Sequence, residues 1–216
     1  MPLVFDGTLI VVGGGTVEPE LLRTLAQGAA GIIGADSGGD TILKAGLVPD
    51  AVIGDMDSVD DLSGFPDTTR VIRIAEQDST DFGKCLYSSR APLTLGLGMT
   101  GGRFDHTLAA LNAVAKMAHE RKIILVDEHD LALGVSGSIS VEVGKGSRVS
   151  VYPLGRTAFA GSEGLLYPLD GLVMEQGGRI GTSNEATADV VSITVAEGEQ
   201  SPWLLILDRT LLPAVG

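Results

Sequence analysis

The chain has 216 residues, enough for one large domain or two small ones, and its 44% hydrophobic and 20% charged residues are a globular composition with a sizeable core. A net charge of -13 argues against nucleic acid as a partner, since a polyphosphate backbone needs clustered Lys and Arg, and only 15 are present in all. The single cysteine, Cys85, excludes an internal disulfide and a multi-cysteine zinc site, and predicts a buried structural thiol in a reducing, cytoplasmic setting.

The amino terminus, Met1 to Asp6, has no basic segment ahead of an apolar stretch, and no apolar run approaches the ~20 residues of a membrane span, so neither secretion nor membrane insertion is expected. Strand-like and helix-like segments then alternate: Leu9 to Val12, a helix near Glu18 to Gln27, Gly31 to Ala35, a helix near Asp40 to Ala45, and Ala51 to Ile53. Thr16 is a candidate cap, Pro19 suits a first turn, and Gly28 and Gly46 fall just past the helix ends. Val71 to Ile74, a helix near Asp81 to Ser89, Leu93 to Leu97, a helix near His106 to Glu120 and Ile123 to Val126 continue the rhythm. Continuous apolar strands predict a parallel sheet covered on both faces.

After Asp130 the pattern changes to short alternating strands separated by glycine turns: Ile139 to Val143, Arg148 to Tyr152, Leu165 to Tyr167, Val190 to Val195 and Leu204 to Leu207, with no helix. The predicted fold is therefore an amino-terminal parallel α/β domain over 1–130, followed by an antiparallel β-sandwich over 131–216. Gly181 to Glu185 reads as a hairpin turn. Tyr167 and Trp203, scarce aromatics here, are expected in the sandwich core or an interface.

Three aspartates follow predicted strands: Asp36 after Gly31 to Ala35, and the pair Asp55 and Asp57 after Ala51 to Ile53. In an open parallel sheet the ligand crevice lies beyond the carboxyl ends of the strands, so these side chains are expected to converge. Carboxylates at i and i+2 of an extended segment stand on one side, about 6 to 7 Å apart. Such a pair suits magnesium, with phosphates completing the shell, though a solvated turn gives the same Asp-x-Asp pattern. Asp40 is expected to cap the helix it opens. Gln77 to Asp81 lies after the Val71 strand, on the same edge; capping and the helix dipole account for Asp81 alone, and Lys84, one turn on, either neutralises it or reaches a phosphate. Gly38 and Gly39 permit close backbone approach, and Thr100, Gly101, Gly102, Arg103 and Asp105 join a strand to a helix as an anion-binding turn with a guanidinium beside it. Gly13 to Gly15 is a third glycine turn, without the Gly-Lys-Ser/Thr ending of a P-loop.

The ordered set Ala35-Asp36-Ser37-Gly38-Gly39, Gly46 to Ser58, Gln77-Asp78-Ser79-Thr80-Asp81-Phe82-Gly83-Lys84, Gly101 to His106 and Gly181-Thr182-Ser183-Asn184-Glu185 resembles the thiamine pyrophosphokinase family. The resemblance implies transfer of the diphosphate group of ATP to thiamine with release of AMP, by a homodimer whose site combines one subunit's α/β domain with the other's sandwich. It assigns Asp36, Asp55, Asp57 and Asp81 to catalysis, with Asp55, Asp57 and Asp81 holding Mg2+. It gives ATP to Gly38, Gly39, Lys84, Thr100, Gly101, Gly102, Arg103 and Asp105, and thiamine to Gln77, Ser183, Asn184 and Tyr167. The chain departs from the family pattern at Tyr167, where some members carry a stacking tryptophan, and at Ser37, where many have glycine. A pterin-like acceptor, or a non-catalytic sensor of thiamine or nucleotide, are the alternatives that the same residues allow.

Overall fold

The structure is a computed structural model that describes all 216 residues. It contains two compact units, Met1–Ala113 with Leu125–Glu128, and Val114–Ile124 with His129–Gly216. In chain order the elements of the α/β part are β1 (Leu3–Val4), β2 (Thr8–Val12), α1 (Pro19–Ala26), β3 (Gly31–Ala35), α2 (Gly38–Lys44), β4 (Ala51–Gly54), β5 (Arg70–Arg73), α3 (Asp81–Ser88), β6 (Ser89–Arg90), β7 (Leu93–Leu97), α4 (Phe104–Met117) and β8 (Lys122–Val126).

Within the first unit the sheet runs β7-β2-β3-β4-β5, every neighbouring pair parallel. β3, β4 and β7 are buried at every position, as expected of strands covered on both faces. Chain order reverses at β2, which has β3 on one side and β7 on the other, so the loops after β2 and β7 flank the topological switch point. Those are the Gly13–Gly15 and Gly98–Gly102 turns. Gly13 N donates to Leu97 O at 2.8 Å and Gly15 N to Gly98 O at 2.9 Å, tying one turn to the other. A side chain at Gly15 would stand 2.6 Å from Gly98 O, and one at Gly38 would overlap Val12 O. These glycines thus serve first to let three backbone turns interpenetrate.

Two predicted caps are corrected. The residue before α1 is Glu18, which makes no side-chain cap, so Thr16 lies outside the helix start. α2 begins at Gly38 rather than Asp40, because the two glycines join the helix; Asp40 falls in its first turn, and its Oδ2 accepts from Asp60 N at 3.0 Å instead. Gly46, at φ +77°, ends α2 as expected, with its N–H on Leu43 O at 2.8 Å and that of Leu47 on Ile42 O at 3.1 Å.

The second unit carries β9 (Asp130–Val135), β10 (Ile139–Glu142), β11 (Arg148–Pro153), β12 (Thr157–Glu163), β13 (Val173–Met174), β14 (Gly181–Glu185), β15 (Val190–Val195), β16 (Trp203–Asp208) and a short terminal α5 (Leu212–Val215), a helix the sequence pattern did not predict. One antiparallel arrangement runs β14-β11-β16-β9 and another β10-β15-β12-β13. Trp203 of the first meets Phe159 of the second edge to face at 5.6 Å and 76°, fully buried, with Nε1 donating to Gly137 O at 3.1 Å. Tyr167, by contrast, is 65% exposed rather than in the core. Leu165 to Tyr167 is not a strand, since only Leu165 bridges to Ala186. Gly181 to Glu185 is not a hairpin turn but β14, paired with β11 through a register shift between Val149 and Val151.

The interpenetrating turns generate a stability prediction. Gly38→Ala is expected to cost about 3 kcal/mol or more, because rigid backbone must move to admit a methyl group. Gly28→Ala, where a side chain would meet nothing within 4 Å, is expected to be neutral or to stabilise by roughly 0.4 to 1 kcal/mol. Urea unfolding of the two variants measures the contrast, and equal midpoints would refute it.

Candidate active site

The site in the first unit grows from the carboxyl ends of β3, β4 and β5. Asp36 follows β3 with φ +50°, its N–H continuing the ladder to Ile53 O at 3.0 Å. Aspartate tolerates this left-handed backbone better than most residues. The turn leaves the side chain 4% exposed, with Oδ1 buried and without a hydrogen-bond partner. Burial first, and the charge of Asp81 second, push the Asp36 carboxyl above the ordinary aspartate range.

After β4 the segment 55–57 is not extended. Met56 adopts φ +66° and is buried against Val52 and Phe65, with Leu43 and Val59 around them. This inward methionine is what fixes the bend, and it was not singled out in the sequence. Asp57 N donates to Asp55 Oδ1 at 3.2 Å and Ser58 Oγ to Asp57 Oδ1 at 2.8 Å. Asp36, Asp55 and Asp57 each offer a carboxylate oxygen within 4.8 Å of the others. The convergence therefore includes Asp36, whereas Asp81 lies outside this trio. Such an all-oxygen trio, with one buried oxygen unpartnered, fits a hard divalent cation.

Gly54 shows where Asp81 stands: a side chain there would lie 3.0 Å from Asp36 Oδ1 and 3.1 Å from Asp81 Oδ1. Thr80 caps α3 through Gly83 N at 3.4 Å, so Asp81 opens the helix without being its cap. Lys84 Nζ donates to Asp81 Oδ1 at 3.0 Å. Burial draws the Lys84 ammonium down, but the bond to Asp81 and the charges of Asp81, Asp55 and Glu76 outweigh it, leaving it above the usual lysine value. Gln77 Nε2 donates to Asp55 Oδ2 at 2.9 Å, and this bond is the largest cause holding the Asp55 carboxyl below its usual range.

Two further residues organise this edge and were missed in the sequence. Glu76 accepts from Asp78 N at 2.6 Å, Ser79 N at 3.0 Å, Ser79 Oγ, and Tyr87 Oη at 2.9 Å, which lowers its pKa to about 2, the Ser79 hydroxyl being the largest cause. An acidic residue three positions ahead of a serine in a pre-helix loop is the only signal the sequence offered. Arg73 Nε donates to Asp55 O at 3.0 Å across the neighbouring strand, a pairing visible only once β4 and β5 are adjacent.

In the turn after β7, Gly101 has φ +74° with open space where a side chain would be, and a side chain at Gly102 would stand 3.4 Å from Gly15 Cα. Thr100 Oγ1 donates to Asp127 Oδ2 at 3.3 Å. Arg103 and Asp105 form an exposed fork, Nε to Oδ1 at 3.1 Å and Nη2 to Oδ2 at 2.6 Å, and Asp105 also accepts from His106 N at 3.0 Å. Gly39 is bounded by Val52 and Phe65 and Gly38 by β2, so both are packed against protein on the side a Cβ would take.

In the second unit, Ser183 sits at the β14 irregularity with φ +60°, exposed, its N–H given to Ser150 Oγ at 3.0 Å. Asn184 is 6% exposed and is spent on backbone: Oδ1 accepts from Tyr167 N at 3.0 Å and Glu185 N at 2.9 Å, while Nδ2 donates to Tyr167 O at 2.7 Å. It therefore holds the Tyr167 backbone and leaves the tyrosine ring to solvent.

Comparison with known proteins agrees with this architecture. The family model described as the thiamin pyrophosphokinase catalytic domain matches residues 22–126, and that described as its vitamin B1 binding domain matches 137–198. Thiamine pyrophosphokinase 2 of Arabidopsis thaliana is 29% identical over 80% of this chain and 70% of its own length. Thiamine pyrophosphokinase 1 of the same plant is 30% identical over 75% and 67%. The crystal structure of thiamin pyrophosphokinase from Geobacillus thermodenitrificans superposes with a TM-score of 0.78 at 26% identity, covering 93% of this chain and 97% of that one. With both domain models matched in order along one chain, this protein belongs to the thiamine pyrophosphokinase family.

Proposed function

We propose that this chain transfers the diphosphate group of ATP to the hydroxyl of thiamine, giving thiamine diphosphate and AMP. The observation that carries the reading is the trio Asp36, Asp55 and Asp57, with its buried unpartnered oxygen, in a member of this family. Those three would hold Mg2+, which when bound offsets charge on the phosphates. The acceptor hydroxyl oxygen attacks the β-phosphorus, the bond from that phosphorus to the oxygen bridging to the α-phosphorus breaks, and AMP leaves with the bridging oxygen. The hydroxyl proton passes to a base.

The chain's own residues supply position. Gln77 ties the loop after β5 to Asp55, and Glu76 folds that loop around its own carboxylate, so both acidic loops keep one arrangement. The glycine turn at 101–102 and the exposed guanidinium of Arg103 suit the nucleotide phosphates. The exposed Tyr167 ring offers a face for a heterocycle, and the exposed Ser183, next in the chain to the Asn184 that holds the Tyr167 backbone, offers a hydroxyl. A homodimer and a cytoplasmic setting complete the reading; no helix of the structure is long and apolar enough to cross a membrane.

With ATP, magnesium and thiamine, chromatography is expected to resolve thiamine diphosphate and AMP in equal amounts; ADP in place of AMP would sink diphosphate transfer. Asp57→Asn should lower kcat by roughly 100-fold or more, beyond what loss of an outer metal contact costs, with the fold retained by circular dichroism. Near-normal turnover of that variant would remove Asp57 from the metal site.

For the acceptor, Tyr167→Ala should raise the thiamine KM about 10-fold, the scale of one lost stacking contact, while Tyr167→Phe keeps it and the ATP KM stays within a factor of about 2. Ser183→Ala should raise the thiamine KM by a few-fold. If steady-state kinetics show neither change, the acceptor lies elsewhere and a different heterocycle becomes the better substrate.

Glu76 gives a pH signature. Its folded pKa, about 2, is below the ordinary glutamate value of 4.5, so the stabilisation is fully present above pH 4.5 and is lost as pH falls through about 2. The melting-temperature advantage of the native chain over Glu76→Gln should therefore be largest at neutral pH and shrink toward pH 2. A gap that widens on acidification would contradict the assignment.

A further inference from the structure

Lys84 is 2% exposed, one of the largest fully buried side chains in the protein. Lysine is almost never enclosed to this degree unless paired, since an isolated buried ammonium is strongly unfavourable. Its partner is Asp81, 3.0 Å away and one-third exposed. Asp81 Oδ1 and the unpartnered Asp36 Oδ1 both crowd the side of Gly54 where a Cβ would stand, at 3.1 and 3.0 Å. The ammonium thus sits beneath the carboxylate group, on the protein side of Asp81. To reach a phosphate it would have to abandon Asp81 and leave an enclosed position, which makes nucleotide binding a poor use of it.

We infer that Lys84 is a positioning residue, a built-in counter-ion that fixes Asp81 and offsets the mutual repulsion of Asp36, Asp55, Asp57 and Asp81 before any metal arrives. Four carboxylates at one strand edge repel one another, and a cation placed among them from the protein side lowers the cost of folding the site empty. The metal arm of the test rests on the magnesium reading above; the stability arm does not.

The experiment is thermal unfolding of the full chain in EDTA and in millimolar magnesium, for the native protein, Lys84→Met, Asp81→Asn and the double variant. In EDTA, Lys84→Met should lower Tm by about 5 °C or more, the scale expected when one partner of an enclosed pair is removed. The double variant should recover at least half of that loss, because removing Asp81 removes the charge that Lys84 offsets. Magnesium should raise the Tm of Lys84→Met by more than it raises that of the native chain. An unchanged Tm for Lys84→Met, or a double variant no more stable than Lys84→Met, overturns the counter-ion role. A magnesium shift that is present and equal in the two proteins overturns the charge offset. If magnesium moves neither while the EDTA cycle behaves as expected, the magnesium reading falls and the counter-ion role stands.

Discussion

Gly54 has no side chain because two carboxylates fill the space one would take. A methyl group there would sit 2.9 Å from Asp36 Cβ and 3.1 Å from Asp81 Oδ1. The last residue of β4 is thereby reduced to bare backbone, and the ends of β3 and α3 close over it. Everything else at this edge follows from holding like charges that near to each other. Asp36 is buried in a left-handed turn, Asp81 is tethered to an enclosed ammonium, and Asp55 is bound by Gln77. The repulsion such a group suffers when empty is what a divalent cation would relieve, so the crowding supports the metal reading proposed above.

The switch point of the sheet is built on the same economy of side chains. Gly13 and Gly15 hydrogen-bond to Leu97 and Gly98, and Gly38 lies against the carbonyl of Val12. Three loops from three strands can meet only if none carries a Cβ at the contact. Glycines that look in sequence like ligand-facing positions are thus committed to each other on one side, and only Gly101 faces open space there.

Much of this was legible in the sequence. The fully apolar run Gly31 to Ala35 is β3 to the residue, and Leu93 to Leu97 and Val190 to Val195 are strands with the expected limits. Their signals are local: apolar periodicity and bounding turn residues. What could not be read depended on partners far along the chain. Asp40 looks like a cap until Asp60 N takes its carboxylate, twenty residues away. Gly181 to Glu185, polar and led by glycine, looks like a turn until β11 pairs with it. The Asp55 to Asp57 segment reads as extended, yet Met56 turns inward because Phe65 and Val52 leave an apolar place for it. In each case tertiary burial or pairing overrides a local preference.

Carboxylates in this chain separate into two kinds by what already satisfies them. Asp50 accepts from Ile32 N, Asp61 from Ser63 N, Glu199 from Ala158 N and Ser201 N, Asp208 from Thr210 N, and Glu76 from two backbone amides and two hydroxyls. Each of these ties two stretches of backbone together, and its charge is stabilised by donors the fold provides. Asp36 Oδ1 is buried and has none. An enclosed oxygen without a donor is costly, so a fold that keeps one must gain something outside itself from it. Strand position already separates Asp36, at the carboxyl end of β3, from Asp50, ahead of β4, and the donors separate them again: Ile32 N serves Asp50, whereas Asp36 Oδ1 has none. Among the acidic turns of a chain whose charge is -13, that unpartnered oxygen is what supports placing the proposed site at the ends of β3 and β4.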